Sequence, residues 1–341
     1  MSGDDLVADA ANRLFAAHAP AKADVDSGPV APGFWTEFVE SGLGEVLAQE
    51  GESRFHDAAS VARACGYHAV AAPVAEAMLA HWLAARAGWA AQAGIATVAL
   101  APVPLAGTAF ARVPWGREAE AVYCIARAGD GGVIARAPLA GARVAQGRNL
   151  AGEPRDAVSF AAGGDWQRSA GPADALEAFA VGALLRAAQM AGAMQRALEL
   201  SLEHANTRMQ FGRAIGKFQA VQQMLAQLAS HAAAAAAAVD LGCDGLACGD
   251  GLTEAAVAKS RAGEAAGFAA EIAHQVVAAM GFTLEHPLHR YTRRLWSWRD
   301  ECGNEAWWNE RLGTSAIETG LWTAIADRPW LRYGEQGGGG A

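Results

Sequence analysis

The sequence has few charged residues and no long basic run, and both absences limit what the protein can do. Only 18% of its 341 residues are Asp, Glu, Lys or Arg, and the net charge is −9. A chain this acidic, without a basic run, is a poor candidate for binding nucleic acid or an anionic membrane. Because 52% of the residues are apolar, an intrinsically disordered chain is also excluded.

Cysteine is scarce as well, and its spacing matches no disulfide framework. There are five cysteines, an odd number, which is typical of a reducing compartment. Cys243 and Cys248 have no histidine nearby in the sequence, so we predict no metal site. The N-terminus lacks the positively charged start of a signal peptide. The uncharged stretches 87–111 and 218–239 contain prolines or glutamines that argue against membrane spans. We therefore expect a cytoplasmic protein.

Composition divides the chain into zones. We predict a helical domain over 1–97, a reduced β domain over 98–168, a helical bundle over 169–333 and a disordered glycine-rich tail over 334–341. Within the first zone, segments 8–18 and 68–86 have helical spacing. Within the second, residues 129–132 (Gly-Asp-Gly-Gly) separate two β-prone runs, which indicates a hairpin.

The third zone has the clearest periodicity. Apolar residues recur every three or four positions in three successive segments, which predicts long amphipathic helices packed as an antiparallel bundle. The positions are Leu184, Ala188, Ala191, Met194, Leu198 and Leu202, then Val221, Leu225, Leu228, Ala232 and Ala235, then Val257, Phe268, Ile272, Val276 and Ala279.

The most informative segment, 208–219, joins the first two of these helices. It places the guanidinium of Arg208, the amide of Gln210 and the ring of Phe211 at a helix junction, with a second amide at Gln219. Arginine suits a phosphate or pyrophosphate, and an aromatic ring beside it can stack on a base or a flavin. Composition alone favours a helix corner, with Phe211 as a core plug and Arg208 on the surface.

Two motifs give the chain a resemblance to a known family. The pattern of Arg208, Phe211-Gly212 and Phe218-Gln219 resembles the signature of acyl-CoA dehydrogenases. Downstream, Gln275, then Gly281-Phe282-Thr283, Glu285 and Pro287 resemble that family's second signature. The resemblance implies a mainly α protein with a small β domain: an N-terminal helical domain, a middle β domain and a C-terminal four-helix bundle.

The resemblance also implies a cofactor, a substrate and site residues. Members of the family bind FAD across a dimer interface and oxidise an acyl-CoA. They also pack their helical bundles together at the centre of a dimer or tetramer, so the resemblance, together with the apolar stripes, implies an oligomer. The across-interface FAD contacts carry over onto Arg208 for the pyrophosphate, Gln210 and Phe211 for the flavin end, and Gln219 and Gln275 for the adenine and pyrophosphate end.

The chain departs from the family pattern where the chemistry would occur. The glycine-rich turn after Gln275 is here Ala-Ala-Met-Gly over 278–281, and the middle zone lacks the family's flavin-covering stretch. Counting along the second signature puts the family's catalytic Glu on Cys302, a weak base, with Glu301 one residue away. The alternative position, used by a minority of members, falls on Gly182. No catalytic residue is therefore assigned.

The residues that would contact FAD across the interface are present, whereas the flavin-covering stretch and the catalytic Glu are missing. This combination resembles the small subunit of a heteromeric acyl-CoA dehydrogenase of the steroid side-chain type. The leading hypothesis is a subunit that completes the FAD site of a larger catalytic partner. Two alternatives stay open: a self-sufficient homo-oligomer with Glu301 as base, and a flavin-free pseudo-enzyme or scaffold.

Two further groups of residues are weaker candidates for a functional site. His286 and His289 could share a helical face, but a solvated helix end is the simpler interpretation. Four tryptophans could line an acyl pocket or belong to the core or a subunit contact: Trp296, Trp298, Trp307 and Trp308.

Overall fold

A computed structural model describes residues 3–19, 28–161, 165–249 and 251–320, with side chains from residue 6 onward. The predicted glycine-rich tail lies outside these residues. Helices come first, then strands, then helices again, as the resemblance implied.

The first zone consists of four helices: α1 (Gly3–Ala17), α2 (Pro32–Glu40), α3 (Arg54–His68) and α4 (Val74–Arg86). The segment 68–86, predicted to be helical, is a continuous helix only from Val74 onward, and its first residues separate α3 from α4. Ala69, with φ of 52°, ends α3 in the left-handed region, and Pro73 precedes α4. Because proline has no backbone N–H to donate, it separates the two helices here.

The middle zone contains two small sheets. Strand order in the first is β1 (Ala96–Ala99), β3 (Ala121–Ala128), β4 (Gly131–Pro138) and β7 (Gln167–Pro172), with β1 and β3 parallel. In the second it is β2 (Ala109–Pro114), β6 (Arg155–Ser159) and β5 (Arg143–Ala145), all antiparallel. The predicted hairpin is confirmed, because Ala128 pairs with Gly131 across Gly129 and Asp130. Strands run slightly beyond the predicted limits of 98 and 168 at both ends.

The last zone is a helical bundle. It comprises α5 (Ala175–Thr207), α6 (Gln219–Ala247), α7 (Leu252–Val277), α8 (Leu288–Arg299) and α9 (Glu305–Thr319). Helices α5, α6 and α7 pack on one another, α8 lies against α5 and α7, and α9 lies against α7. The hairpin β8 (Met209–Gln210) and β9 (Arg213–Ala214) connects α5 to α6. The expected fold class is therefore confirmed.

The buried face of α7 differs from the predicted stripe. It is built of alanines, among them Ala258, Ala262, Ala265, Ala269 and Ala273, whereas Phe268 is 45% exposed and stacks on His231. Because α7 contacts α5, α6, α8 and α9, small side chains are what allow the helix axes to approach. By length and composition alone, α6 and residues Leu252–Phe282 are long and apolar enough to cross a membrane, and 33% and 44% of their apolar windows are buried within the described fold.

Helix α5 is held close against α3 by two glycines. A Cβ at Gly66 would lie 1.9 Å from the carbonyl oxygen of Gln189, and one at Gly192 would lie 1.9 Å from that of Arg63. No other residue fits at these contacts without moving the helices apart. The crossing therefore fixes α5, which carries the central side chains of the site, against the N-terminal helices.

Candidate functional site

The predicted cofactor residues lie at one end of the bundle. Helix α5 ends at Thr207, α6 begins at Gln219 and α7 ends at Val277, and Ala205, Leu225 and Val276 pack together there. The structure brings the five residues to this end, all of them solvent-exposed: Arg208, Gln210, Phe211, Gln219 and Gln275. Their role in FAD binding stays a prediction.

The hairpin at this end presents a bare aromatic ring. Phe211 is 91% exposed and Gly212 follows it, both with positive φ, as a two-residue hairpin loop requires. The sequence-based alternative of Phe211 as a core plug is therefore wrong. Other large apolar side chains are exposed at the same end, namely Met209, Met280, Phe282 and Leu284. An apolar surface of this kind is typical of a subunit interface.

The turn after Gln275 keeps a backbone conformation typical of glycine although alanine occupies it. Ala278 has φ of 57° and ψ of −145°, a region that is essentially restricted to glycine. Gly281 is buried in this turn and leaves little room for a side chain, because a Cβ there would lie 3.0 Å from Nδ1 of His274. The exposed donors, one guanidinium and several amides, fit an anionic dinucleotide, but the methyl groups of Ala278 and Ala279 limit how closely it can approach this turn.

A cavity of about 410 Å³ lies where the three zones meet. Its walls come from α4, β1, β2, α5 and the loop after α8. Most of the lining is apolar, including Leu79, Val98, Leu100, Leu105, Phe110 and Phe179. A volume of this size is sufficient for a small ligand.

Both positions at which the resemblance implied a catalytic Glu face this cavity, and they face each other. Gly182 of α5 and Cys302 both line it, and a Cβ at Gly182 would lie 3.2 Å from Sγ of Cys302. Burial raises the pKa of the Cys302 thiol to about 11, against the lowering effect of Arg186. The thiol is therefore protonated at neutral pH and cannot accept a proton.

Glu301, the alternative base, is held by two arginines. Its carboxylate accepts hydrogen bonds from Nε of Arg155 at 2.7 Å and from Nη2 of Arg155 at 2.9 Å, and Nε of Arg186 lies 2.9 Å away. Burial alone would raise the pKa of Glu301, but Arg155 and Arg186 together lower it to about 2. A carboxylate with so low a pKa is a poor general base.

These residues belong to a buried chain of alternating charges that the sequence analysis missed. It runs Glu76–Arg186–Glu301–Arg155–Glu153–Arg294, and each neighbouring pair is in ion-pair contact. Glu153 also accepts hydrogen bonds from Asn149 and from the indole of Trp298. The one available signal was Arg186, the only charged residue between Glu177 and Arg196 on an otherwise apolar helix.

Lys259 of α7 holds the loop that carries Glu301 and Cys302. Its ammonium is fully buried and donates to the carbonyl oxygens of Arg299 and Gly303, both at 2.6 Å. Cys302 and Gly303 have φ of 54° and 83°. Burial lowers the pKa of Lys259 to about 8, although Cys302 and Glu301 oppose this effect. The loop is therefore fixed in a left-handed conformation by a side chain from the neighbouring helix.

The tryptophans are not part of the cavity wall. Trp298 and Trp308 are core residues, and Trp307 and Trp308 pack on Phe179 with ring centroids 5.3 and 5.9 Å away. Trp296 is 42% exposed beneath the guanidinium of Arg299. Of the two interpretations, an acyl pocket or a core or subunit contact, the structure supports the core for Trp298 and Trp308 and places none of the four in the cavity wall.

Comparison with known proteins agrees with this architecture. A model of the acyl-CoA dehydrogenase C-terminal domain matches residues 169–299. The chain is 40% identical over 112 residues to acyl-CoA dehydrogenase IpdE2 of Mycobacterium tuberculosis, and 38% identical over 117 residues to glutaryl-CoA dehydrogenase of Desulfococcus multivorans. These matches cover 33% and 32% of this chain, and 34% and 29% of those proteins. The chain thus spans about a third of the length of the curated relatives it matches.

Solved structures match over nearly the whole chain. The Tcur3481-Tcur3483 steroid ACAD (G363A variant) has a TM-score of 0.82 at 21% identity, and the ChsE4-ChsE5 complex of M. tuberculosis has 0.77 at 22%. Each match covers 92% of this chain and 98% of the other. The chain therefore has the acyl-CoA dehydrogenase fold, and its residues 169–299 match the acyl-CoA dehydrogenase C-terminal domain.

Proposed function

We propose that this chain is a subunit of an FAD-dependent acyl-CoA dehydrogenase, in which it completes the FAD site across a subunit interface while a partner supplies the catalytic base. One observation carries the proposal. Gly182 and Cys302 occupy both candidate base positions and meet at one cavity, so neither position offers a group that can accept the α-proton. The exposed end of the bundle, by contrast, retains the side chains that a dinucleotide needs.

In this proposal the chain contributes binding rather than proton transfer. FAD, when bound, would supply the acceptor for the β-hydride of the acyl-CoA. Arg208 would bind its pyrophosphate, Gln210 and Phe211 would contact the flavin end, and Gln219 and Gln275 the adenine and pyrophosphate end. The partner would cover the apolar residues around Phe211, which are exposed to water in the isolated chain.

The homo-oligomeric alternative, with Glu301 as base, is disfavoured by the contacts of that carboxylate. Both of its oxygens are engaged by Arg155 or Arg186, and the lowered pKa leaves little tendency to take up a proton. Asp300 also reaches the cavity wall but is solvent-exposed, so it must be tested alongside Glu301. The flavin-free scaffold is favoured only by the methyl groups of Ala278 and Ala279.

The substrate class and setting follow from the relatives. We propose an acyl-CoA thioester as substrate, of the bulky steroid type because the structural match Tcur3481-Tcur3483 is described as a steroid ACAD. The ChsE4-ChsE5 structure is a complex, which supports a second, catalytic subunit for this chain. We also propose a cytoplasmic location, since the five cysteines include no framework spacing.

Co-expression tests the proposal. The chain is expressed alone and together with each acyl-CoA dehydrogenase encoded next to it, and bound flavin is measured by absorbance after purification. Flavin only in the co-expressed complex is the expected result. Flavin in the chain alone, with dehydrogenase activity lost in Glu301→Gln or Asp300→Asn, would favour the homo-oligomer. Absence of flavin from every preparation would favour the scaffold.

A further inference from the structure

Four histidines cluster at the end of the bundle that carries the predicted cofactor residues. His204 lies in the last turn of α5, His274 in the last turn of α7, His286 before α8 and His289 in its first turn. The rings of His204 and His286 meet edge to face with centroids 6.3 Å apart, and His274 stacks on Phe282 at 4.1 Å. His289 is only 8% exposed.

Two imidazole nitrogens in this cluster are buried without a partner. His274 Nε2 lies 2.9 Å from the hydroxyl of Thr292, and His286 Nδ1 accepts a bond from the N–H of Leu288 at 3.2 Å. For Nδ1 of His274 and Nε2 of His289, however, the described residues provide no hydrogen-bond partner. Buried polar atoms are satisfied in most proteins, so such atoms point to a bound water, ion or ligand group. No group of three or more His, Cys, Asp or Glu suited to a metal occurs among the described residues.

The surroundings of the cluster are predominantly basic although the whole chain is acidic. The charged groups that face it are Arg208 and Glu203 on α5 and Arg290 and Arg293 on α8. Burial lowers the pKa of all four histidines, and neighbouring positive groups lower it further: Arg208 for His204, His204 for His286, His286 for His274, and Arg293 and Arg290 for His289. An anion bound beside the histidines would offset the influence of these positive groups and raise the pKa of the imidazoles.

We propose that the histidine cluster is the proton-accepting part of an anion site, so that a pyrophosphate diester held at Arg208 and Gln275 is bound together with a proton. The inference rests on the proposed function for its ligand, and it adds that the affinity of this end of the bundle depends on pH. Gln275 directly follows His274 on α7, and Arg208 lies one turn beyond His204, whose carbonyl oxygen accepts its N–H at 2.9 Å, so the cluster and the predicted pyrophosphate residues share one end of the bundle. FAD and coenzyme A both contain this group.

Calorimetry on the co-expressed complex, after its flavin has been removed, separates the two sources. FAD and dephospho-coenzyme A are titrated at pH 6.0, 7.0 and 8.0, in buffers of different ionisation enthalpy, which counts the protons taken up. Both probes carry a pyrophosphate diester whose charge is constant over this range. For a shift of one pKa unit we expect uptake of about half a proton per bound molecule near pH 7 and up to roughly tenfold tighter binding at pH 6.0 than at pH 8.0.

Matched variants identify the groups that take up the proton. His286→Asn keeps an oxygen to accept the N–H of Leu288, and His204→Gln keeps a polar side chain of similar size; neither new side chain titrates in this range. The double variant should take up fewer protons on binding than the wild type and depend less on pH, since only His274 and His289 then remain to titrate. His56→Gln is the control, because His56 lies on α3 and bonds Asp244 instead. Circular dichroism verifies that each variant is folded.

Several outcomes would overturn the inference. Binding without proton uptake would do so while leaving the proposed function intact, since flavin content on co-expression is measured independently. Failure of both probes to bind at pH 6.0, or equal proton uptake in the double variant, would also overturn it. Proton uptake with dephospho-coenzyme A but not with FAD would support the anion site and assign it to the substrate instead of the cofactor.

Discussion

Replacing Glu301 by glutamine should destabilise the protein by about 3 kcal/mol. The change keeps the size of the side chain but removes one negative charge from between Arg155 and Arg186, both of which are buried. The pKa of Glu301 falls from 4.5 to about 2 on folding, and each pKa unit corresponds to about 1.4 kcal/mol of stabilisation of the charged form. The same order of magnitude, about 3–5 kcal/mol, applies when one partner of a buried ion pair is removed.

The pH dependence gives this prediction its sharpest test. Because the pKa is lower in the folded protein, the stabilisation is fully present above pH 4.5 and is lost as the pH falls toward 2. Urea unfolding of wild type and Glu301→Gln should differ by about 3 kcal/mol at pH 6 and by about 1.4 kcal/mol at pH 3. The control is Glu177→Gln, which removes the same group from a partly exposed ion pair with Arg86. It should cost less than about 1 kcal/mol at either pH.

Two results would refute this reasoning. If Glu301→Gln costs no more than Glu177→Gln at pH 6, the ion pairs of Glu301 contribute little to folding. If the difference between wild type and Glu301→Gln is the same at pH 6 and pH 3, the loss comes from packing and not from the charge.

The remaining predictions concern the cofactor, the base, the strained turn and assembly. Arg208→Ala should weaken FAD retention in the complex by about 2–5 kcal/mol, the range for a truncated charge pair; flavin content that survives dialysis unchanged would contradict it. In the same complex, Glu301→Gln at saturating acyl-CoA and unchanged flavin content should alter turnover less than threefold, whereas a missing general base costs about 10²–10⁴-fold; a hundredfold loss would identify this chain as the catalyst. Ala278→Gly should stabilise the chain by about 1 kcal/mol by relieving its backbone strain, while Ala279→Gly, without positive φ, should not; equal unfolding midpoints would count against the strain. The purified chain should not be a monomer, and a monodisperse monomer in light scattering at micromolar concentration would show otherwise.

The sequence was sufficient for the architecture because periodic patterns and local turn chemistry determine it. The apolar spacing along 184–198 and 221–235 predicted α5 and α6, and the glycines at 129–132 predicted the β3–β4 hairpin. The predicted apolar stripe failed on α7, because this helix is buried on several sides. The positions chosen on α7 favoured Phe268, but a helix surrounded on several sides buries its alanines and leaves the large ring outside.

The site was only partly predictable. Motif spacing predicted Arg208 and Gln275 as cofactor residues, and the structure places both at one end of the bundle. Register counting singled out Gly182 and Cys302, which the structure brings together at one cavity. The ion-pair chain could not be derived, since its partners are separated by up to 146 residues and buried charges are rare enough that sequence reasoning assigns them to the surface. Only the isolated Arg186 on α5 indicated that a counter-charge must lie inside.

The buried chain of charges also determines which parts of this protein can exist on their own. It is neutral as a whole, but the zones contribute unequally: the first supplies Glu76, the second Glu153 and Arg155, and the bundle Arg186, Arg294 and Glu301. A bundle excised at residue 169 would keep a net charge of +1 in its former interior, and an N-terminal fragment would keep −1. Each fragment would have to expose these groups to water. Because separating any zone from the others leaves charges without their partners, we expect the three zones to unfold in a single transition.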